Sequence, residues 1–193
     1  MEVCLLYWLL RTLNEFNKND YGRCLELMEN SRRDDVLKRR HIESRNMSVF
    51  GEWIVKNELS KKFNIPIEKI TLLRTEHSKP YAKDIPINFN ISHSYDTLAV
   101  AFSEKQIGVD IEIIKPLKTD ITKRLCTEKD LEFLAAANNE DEQLLRFYKI
   151  WTAKEAYFKM LGTGITNLKS ISYNEINALH FLEEDCIITI VEE

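Results

Sequence analysis

The chain has 193 residues, of which 44% are apolar and 30% charged, which is typical of one domain or of two small halves that share a core. The chain has 27 Lys and Arg residues and 31 Asp and Glu residues, and its net charge of −4 excludes a broadly basic nucleic-acid-binding protein. The four cysteines are scattered without a C-x-x-C pair. This spacing argues against a zinc site or a disulfide framework and predicts reduced thiols in the cytoplasm.

The first predicted element is a buried strand over Val3–Leu10, a run of eight apolar residues. The run is too short to span a bilayer. The acidic Glu2 stands where a signal peptide carries its basic segment. We therefore expect a cytoplasmic protein with neither a membrane partner nor a nucleic-acid partner.

Residues 11–62 are dense in Leu, Glu, Lys and Arg, a composition that predicts helices. The clearest helix begins near Ser44, after which apolar residues recur with a period of about 3.6. These residues are Met47, Phe50, Ile54 and Leu59. Prolines interrupt residues 63–90 and favour loops and short strands there.

Two β-like segments, Leu98–Phe102 and Ile107–Ile114, flank a polar turn, and this pattern predicts a β-hairpin. Residues 120–160 have a helical composition with a break around Asn138–Asp141.

Two short strands are predicted near the C-terminus, Ile171–Tyr173 and Cys186–Val191. Helices and strands alternate along the chain without a regular βαβ order. The expected fold class is therefore α+β, or α/β in the loose sense of the term.

The stretch from Arg32 to Arg45 is locally basic, although Asp34 and Asp35 interrupt it. Its positively charged residues are Arg32, Arg33, Lys38, Arg39, Arg40 and Arg45. The stretch is either a solvated helix face or a patch that holds phosphate groups, and its composition leaves both interpretations open.

The segment Ile107–Ile114 places two carboxylates on one face of a strand. Alternate side chains of a strand point to opposite faces, so apolar residues bury one face while Asp110 and Glu112 share the other. Gly108 lies on the carboxylate face, where the missing side chain is expected to leave room for a ligand. Taken alone, the pattern also fits an edge strand with a solvated polar face.

A predicted helix supplies a third carboxylate, because Trp151, Glu155 and Lys159 recur at every fourth position and share one helix face. We expect this helix to begin near Thr152 and to end before Gly162. Taken alone, Glu155 and Lys159 are equally an ordinary ion pair. Three carboxylates on two elements form the oxygen ligand set that Mg²⁺ prefers, which predicts metal-assisted attack on a phosphate ester or anhydride.

Four motifs, in chain order, resemble the signature of the 4'-phosphopantetheinyl transferase family. Lys79-Pro80-Tyr81 resembles its K-P segment, and Phe89–Ser94 resembles its F-N-I-S-H-S segment. Gly108–Glu112 resembles [VI]-G-[VI]-D, and about forty residues later Trp151–Lys159 resembles [FW]-x-x-K-E-x-x-x-K. The chain length points to the two-lobed monomeric class that activates surfactin synthetase and similar enzymes, rather than to the short trimeric acyl-carrier synthases.

The resemblance implies two similar α+β halves, residues 1–106 on the nucleotide side and residues 107–193 with the metal carboxylates, with coenzyme A between them. It implies transfer of the 4'-phosphopantetheine arm of coenzyme A to a serine of an apo acyl or peptidyl carrier protein, with release of adenosine 3',5'-bisphosphate. The implied cofactor is Mg²⁺, with Mn²⁺ as a substitute, and the implied state is a cytoplasmic monomer.

The same resemblance assigns roles to individual residues. Asp110, Glu112 and Glu155 match the metal ligands of the family. Glu155 is also the expected acceptor of the serine proton, and Lys159 the expected general acid for the departing bisphosphate. Further matched positions, and positions inferred from the basic stretch, are expected to bind coenzyme A: Lys79, Ser92, His93, Lys154, Arg32, Arg45 and Ser48.

Two other functions fit the same residues at this point. A Mg²⁺-dependent phosphohydrolase acting on a nucleotide anhydride uses the same carboxylates with water as the acceptor, and releases free phosphopantetheine from coenzyme A. A non-catalytic module binds coenzyme A or a carrier protein without reaction. The intact set of Asp110, Glu112, Glu155 and Lys159 argues against the second alternative.

Overall fold

The computed structural model describes residues 6–16, 20–117, 121–165 and 167–193, and it confirms a mixed α+β fold with two lobes. The strands are β1 (Leu6–Thr12), β2 (Leu72–Arg74), β3 (Pro80–Ala82), β4 (Asn88–Ser94), β5 (Thr97–Ser103), β6 (Ile107–Ile113), β7 (Ala178–Glu183) and β8 (Cys186–Glu192). The α-helices are α1 (Tyr21–Glu26), α2 (Asn30–Leu37), α3 (Ile42–Phe63), α4 (Thr122–Leu125), α5 (Glu128–Ala135) and α6 (Glu140–Leu161).

The first lobe is an antiparallel sheet in the order β1-β5-β4, covered on one face by α3. The alternation along β5 divides its side chains between two cores. Leu98, Val100 and Phe102 pack toward α3, while Ala99 and Ala101 point to the opposite face. The predicted helix near Ser44 is α3, which begins at Ile42 and ends at Phe63, where Asn64 caps it with a positive φ of 52°.

The second lobe repeats this plan with an antiparallel sheet in the order β6-β8-β7, covered by α6. Both long helices, α3 and α6, have 22 residues. The residues of β6 and β8 that face away from α6 form a shared apolar cluster with Ala99 and Ala101. Trp8 of β1 also contacts Phe181 of β7, with ring centroids 4.9 Å apart. The two sheets therefore lie face to face between α3 and α6.

Polar side chains join the lobes along a seam between β4 and β6. The backbone nitrogen of Val109 donates to Asn90 Oδ1 at 2.9 Å, and that of Ile113 donates to Ser94 Oγ at 3.3 Å. These bonds satisfy backbone groups of a strand edge with side chains of the neighbouring strand. The seam brings the two strands that carry the F-N-I-S-H-S segment and the Asp110 segment side by side.

The predicted β-hairpin between residues 98–102 and 107–114 is wrong, although both segments are strands. β5 pairs with β1 and β4, whereas β6 pairs with β8. The polar residues between β5 and β6 carry the chain from one sheet to the other. Local alternation predicts a strand, but the choice of partner depends on which apolar faces are available elsewhere in the chain.

Other boundaries also differ from the sequence prediction. The helix expected to begin near Thr152 begins at Glu140, because Asn139 caps it by accepting a hydrogen bond from the Glu142 nitrogen at 2.8 Å. Its end before Gly162 is confirmed, since Gly162 caps it with φ of 69°. The predicted strand Ile171–Tyr173 is wrong, because a 3₁₀ helix begins at Tyr173. Strand β7 was not predicted.

The strand predicted over Val3–Leu10 corresponds to β1, which is a half-buried edge strand rather than a buried one. Its predicted first part, residues 3–5, lies outside the described residues. In the part of the chain that the structure describes, no helix has the length and apolar character needed to cross a membrane.

Candidate active site

A cleft of about 410 Å³ opens at the junction of the two lobes. One wall comes from α3 and the loop that contains Lys79, and the other from the last turn of α6. Residues of both lobes line it, including Arg32, Arg39, Ser48, Glu52, Arg74, Lys79, Asn90, His93, Phe158, Lys159 and Gly162. The cleft therefore combines several cations with polar side chains at the seam between β4 and β6.

Three arginines gather around one buried carboxylate in this cleft. Glu52 Oε1 accepts from Arg32 Nε at 2.7 Å and from Arg74 Nη2 at 3.0 Å. Arg39 donates to Ser48 Oγ at 2.7 Å. Desolvation, followed by repulsion from Arg32, lowers the pKa of both Arg39 and Arg74. Positive charge is therefore concentrated here beyond what Glu52 neutralises, a setting that favours a multiply charged anion.

The sequence alone predicts only part of this cluster. Arg32 and Ser48 lie in the cleft as expected, and Arg39 belongs to the basic stretch that was identified. Arg74 and Glu52 were missed, because a single basic residue on a short strand and a single acidic residue on a helix carry no local signal. Only the packing of β2 against α3 brings these two side chains together.

Three residues expected to bind coenzyme A do not line the cleft: Arg45, Lys154 and Ser92, whose hydroxyl bonds to Asp110. Arg45 lines a separate pocket with Phe16 and Tyr21. Lys154 is fully buried, where its ammonium donates to Asp130 Oδ2 at 2.5 Å and to the backbone oxygens of Leu125 and Leu168. With three protein acceptors, this ammonium has no proton to offer a ligand. Arg45 and Lys154 are therefore not candidates for binding the ligand.

Ser92 and His93 are neighbours on β4 and point to different surroundings at the seam. Ser92 Oγ donates to Asp110 Oδ1 at 2.8 Å, while His93 lines the cleft. Partial desolvation, followed by the charges of Lys159 and Arg39, lowers the pKa of His93. Its imidazole is therefore mainly neutral at pH 7 and can donate from one ring nitrogen.

Asp110, Glu155 and Lys159 converge where the cleft meets the seam. Lys159 Nζ lies 2.5 Å from Asp110 Oδ1 and 3.8 Å from Glu155 Oε2. Trp151 Nε1 donates to Glu155 Oε1 at 2.7 Å and so orients this carboxylate. The predicted common face of Trp151, Glu155 and Lys159 is thus confirmed as geometry. The ion pair of Glu155 and Lys159 is accompanied by a closer pair, between Lys159 of α6 and Asp110 of β6.

Glu112 extends the acidic group along β6. Ser94 Oγ donates to Glu112 Oε2 at 2.9 Å. Burial, and then the negative charge of Asp110, raises the pKa of Glu112 to about 7. Burial and the charge of Glu155 also raise the pKa of Asp110, whereas Lys159 opposes this rise. These carboxylates are electrostatically strained in a way that a bound cation relieves.

The role expected for Gly108 is wrong. A Cβ at this position would lie 1.9 Å from the backbone oxygen of Ala156 and 2.5 Å from the backbone nitrogen of Met160. The space left by the missing side chain is thus filled by the backbone of α6 and not by a ligand. This close approach holds α6 against β6 and so sets Glu155 and Lys159 beside Asp110.

Comparison with known proteins identifies the family. A family model described as "4'-phosphopantetheinyl transferase superfamily" matches residues 106–189, and one described as "4'-phosphopantetheinyl transferase, N-terminal" matches residues 15–105. The 4'-phosphopantetheinyl transferase Sfp of Bacillus subtilis is 30% identical over 151 residues, which cover 78% of this chain and 67% of that protein. The chain belongs to the 4'-phosphopantetheinyl transferase family.

Other phosphopantetheinyl transferases are similarly related. The transferase gsp of Aneurinibacillus migulanus is 28% identical over 152 residues, which cover 79% of this chain and 63% of that protein. An L-aminoadipate-semialdehyde dehydrogenase-phosphopantetheinyl transferase of Rattus norvegicus is 36% identical over 132 residues, 61% of this chain and 43% of that protein. The chain thus spans about two thirds or less of the length of these relatives.

Proposed function

We propose that this chain transfers the 4'-phosphopantetheine group of coenzyme A to a serine of an apo acyl or peptidyl carrier protein, releasing adenosine 3',5'-bisphosphate. The observation that carries the proposal is the convergence of Asp110, Glu155 and Lys159 at the inner end of a cationic cleft between two lobes. The proposal includes a cytoplasmic monomer and lobes divided at residues 1–106 and 107–193. Names of related proteins support the reaction class.

The cationic cleft matches the charges of coenzyme A. This substrate carries a pyrophosphate and a 3'-phosphate, which need several cationic or hydrogen-bonding groups. Arg32, Arg39 and Arg74 provide the densest positive charge and are our candidates for the 3'-phosphate. Lys79 and His93 line the same cleft nearer the seam and are assigned to the pyrophosphate.

Lys79 has partners of its own that a phosphate must compete with. Its ammonium donates to the backbone oxygens of Met160 at 2.7 Å and Ile107 at 3.1 Å. Burial lowers the pKa of Lys79 to about 8. Because these acceptors are uncharged carbonyls, an anionic phosphate oxygen is the stronger partner for the ammonium.

The carboxylates fit a divalent cation in their chemistry. Asp110 Oδ2 is buried and has no hydrogen-bond partner among the described residues. Such an unsatisfied anionic oxygen is costly unless a cation meets it. Across the described ranges, no three acidic, His or Cys side chains form a ready-made metal cluster, and the Lys159 ammonium contacts both Asp110 and Glu155. For these two carboxylates to hold one cation together, we propose that Lys159 moves aside.

We assign Mg²⁺, or Mn²⁺, to Asp110, Glu112 and Glu155. When bound, such an ion neutralises charge on the pyrophosphate, which lowers the barrier to displacement at phosphorus. All three ligands offer oxygen atoms, in agreement with the preference of Mg²⁺. Ser92 and Ser94 orient two of these carboxylates by donating to them.

The remaining steps belong to side chains of the chain itself. The carrier serine oxygen attacks the β-phosphorus of coenzyme A as the bond to the bisphosphate breaks. Glu155, oriented by Trp151, takes the proton of the serine hydroxyl. Lys159, released from Asp110, donates to the departing bisphosphate and stabilises its charge.

The decisive experiment incubates the protein with coenzyme A, Mg²⁺ and apo-carrier proteins of the fatty-acid, polyketide and peptide-synthetase types. The proposal expects intact-mass spectra to show the gain of one phosphopantetheine group on a carrier. Release of free phosphopantetheine with unmodified carriers would indicate a phosphohydrolase. Binding of coenzyme A with neither product would indicate a binding module.

One substitution tests whether the carboxylates are needed for transfer without disturbing the fold. Asp110→Asn keeps the size of the side chain but removes the charge, so we expect transfer to be lost while the unfolding midpoint is retained or raised, since the buried charge is also removed. Glu183→Gln, on the exposed end of β7, is the matched control and keeps its activity. Normal turnover by Asp110→Asn would exclude the metal assignment.

A further inference from the structure

The β4–β5 turn presents an exposed aromatic ring in a backbone conformation that is unusual for its type. Tyr95 has φ of 54° and its side chain is 69% exposed. It is the first residue of a two-residue turn between the paired residues Ser94 and Thr97. Glycine is the residue usually favoured there, and a bulky side chain at positive φ is uncommon. A strained and solvent-exposed aromatic ring at the edge of a site points to a function.

A cation lies directly over this ring. Lys115 Nζ is 3.8 Å from the ring centroid of Tyr95. The backbone of Lys115 is held by Tyr148, whose hydroxyl donates to the Lys115 oxygen at 3.0 Å and accepts from its nitrogen at 3.2 Å. The backbone that carries the pair is thus fixed on both sides, by the turn and by α6. A fixed backbone reduces the freedom that the pair loses when it binds a partner.

The pair stands at the opposite end of the site from the cationic cleft. Lys79 contacts the backbone oxygen of Ile107 at the start of β6, whereas Ser94 contacts Glu112 and Ile113 at its end. Six residue steps of a strand separate Ile107 from Ile113, roughly 20 Å. The carboxylates lie between these ends, with Tyr95 and Lys115 just beyond the second.

The geometry of the transfer reaction indicates which substrate lies at each end of the site. The serine Oγ–P bond forms on the face of phosphorus opposite the P–O bond that breaks, because displacement is in line. The leaving bisphosphate belongs to the cationic cleft. The serine, and the protein segment that carries it, must therefore approach from the end where Tyr95 and Lys115 lie.

We propose that Tyr95 and Lys115 form the docking point for the acceptor protein, contacting a segment beside its reactive serine that carries a carboxylate next to an apolar side chain. The carboxylate pairs with the Lys115 ammonium and the apolar side chain covers the Tyr95 ring. This inference rests on the proposed transfer reaction. It adds to that reaction the residues that select the protein substrate.

Two substitutions test the pair, with matched controls. Tyr95→Gly removes the ring and relieves the backbone, so it does not threaten folding. Glu184→Gly relieves a similar positive φ of 50° in the β7–β8 turn and is its control. Lys115→Glu reverses the charge, and Lys105→Glu makes the same change at the β5–β6 connection.

Steady-state kinetics are measured with the apo-carrier protein that the wild type modifies fastest, varying carrier and coenzyme A in turn. We expect Tyr95→Gly and Lys115→Glu each to raise the carrier KM about fivefold or more, with the KM for coenzyme A within about twofold of wild type. The controls leave both KM values unchanged.

Failure of the inference and failure of the proposed reaction give different results. An active wild type whose carrier KM is unchanged in Tyr95→Gly and Lys115→Glu overturns the docking point alone. An increase in the KM for coenzyme A instead overturns it too, because the pair would then belong to the nucleotide side. A wild type that modifies no carrier overturns the proposed reaction and, with it, this inference.

Discussion

Replacing Gly108 with alanine tests how α6 is held against the second sheet. The added Cβ would lie 1.9 Å from the backbone oxygen of Ala156, whereas ordinary contact begins at 3.4 Å. The helix backbone must therefore retreat by roughly 1.5 Å, the difference of these distances, because a packed interior leaves no other space. Glu155 precedes Ala156 in the chain, so the candidate base moves with the helix.

The expected losses follow from this displacement. Overpacking of this kind costs about 1–3 kcal/mol of unfolding free energy, and more where backbone is displaced. For a chain of this length, each kcal/mol lowers the Tm by about 2–4 °C. The distance of 2.5 Å between Lys159 and Asp110 also lengthens. A misplacement of about 1 Å commonly costs about 100-fold in rate, which is the loss we expect in kcat for transfer.

Urea unfolding and carrier modification measure these two effects separately. Gly22→Ala is the matched control, because it lies in α1 and an added Cβ there has nothing within 4 Å. We expect this control to retain activity and to gain up to about 1 kcal/mol from its better helix propensity. Wild-type stability and kcat in Gly108→Ala would refute the close packing of α6 on β6.

Three further predictions concern stability. Ser78→Gly relieves a positive φ of 66°, and we expect it to raise the urea midpoint, because the relief of about 1–2 kcal/mol exceeds the entropic cost of glycine, about 0.5–1 kcal/mol. A lower midpoint contradicts this. Lys154→Met leaves the buried carboxylate of Asp130 without its cation, so we expect urea unfolding to show a loss of about 3–5 kcal/mol in the free energy of unfolding. Adding Asp130→Leu to this variant should restore part of that loss. Burial lowers the pKa of His180 to about 4 from 6.5, so the unfolded chain binds more protons between these values, and this group's contribution to stability falls as the pH drops from 6.5 to 4. His180→Gln should reduce the acid sensitivity in that window, with His41→Gln as the control, and an unchanged pH profile refutes the assignment.

Local patterns predicted several parts of the site. Strand alternation indicated that Asp110 and Glu112 share one face, and helical spacing indicated that Trp151, Glu155 and Lys159 share another. Both signals are local, because backbone geometry repeats every two or 3.6 residues whatever the chain packs against. The Trp151–Glu155 hydrogen bond follows from that spacing.

Contacts between distant residues were not predictable in this way. Asp110 and Lys159 are neighbours only because Gly108 allows α6 to approach β6. The alternation pattern of the strand does not predict that approach. The polar turn between β5 and β6 predicted the wrong partner for β6, which pairs with the distant β8. Lys154 was misassigned because its motif says nothing about burial beside Asp130.

The sequence by itself determined the main strands and helices, the faces that carry the carboxylates, and the family, because propensity, period and motif order are properties of nearby residues. Only the tertiary structure decided which strands pair and which basic residues meet around Glu52. It also decided that the space beside Gly108 is filled by a helix and not by a ligand. Those features depend on apolar faces and charges that lie far apart in the chain and are brought together by burial, where close packing and desolvation select one arrangement.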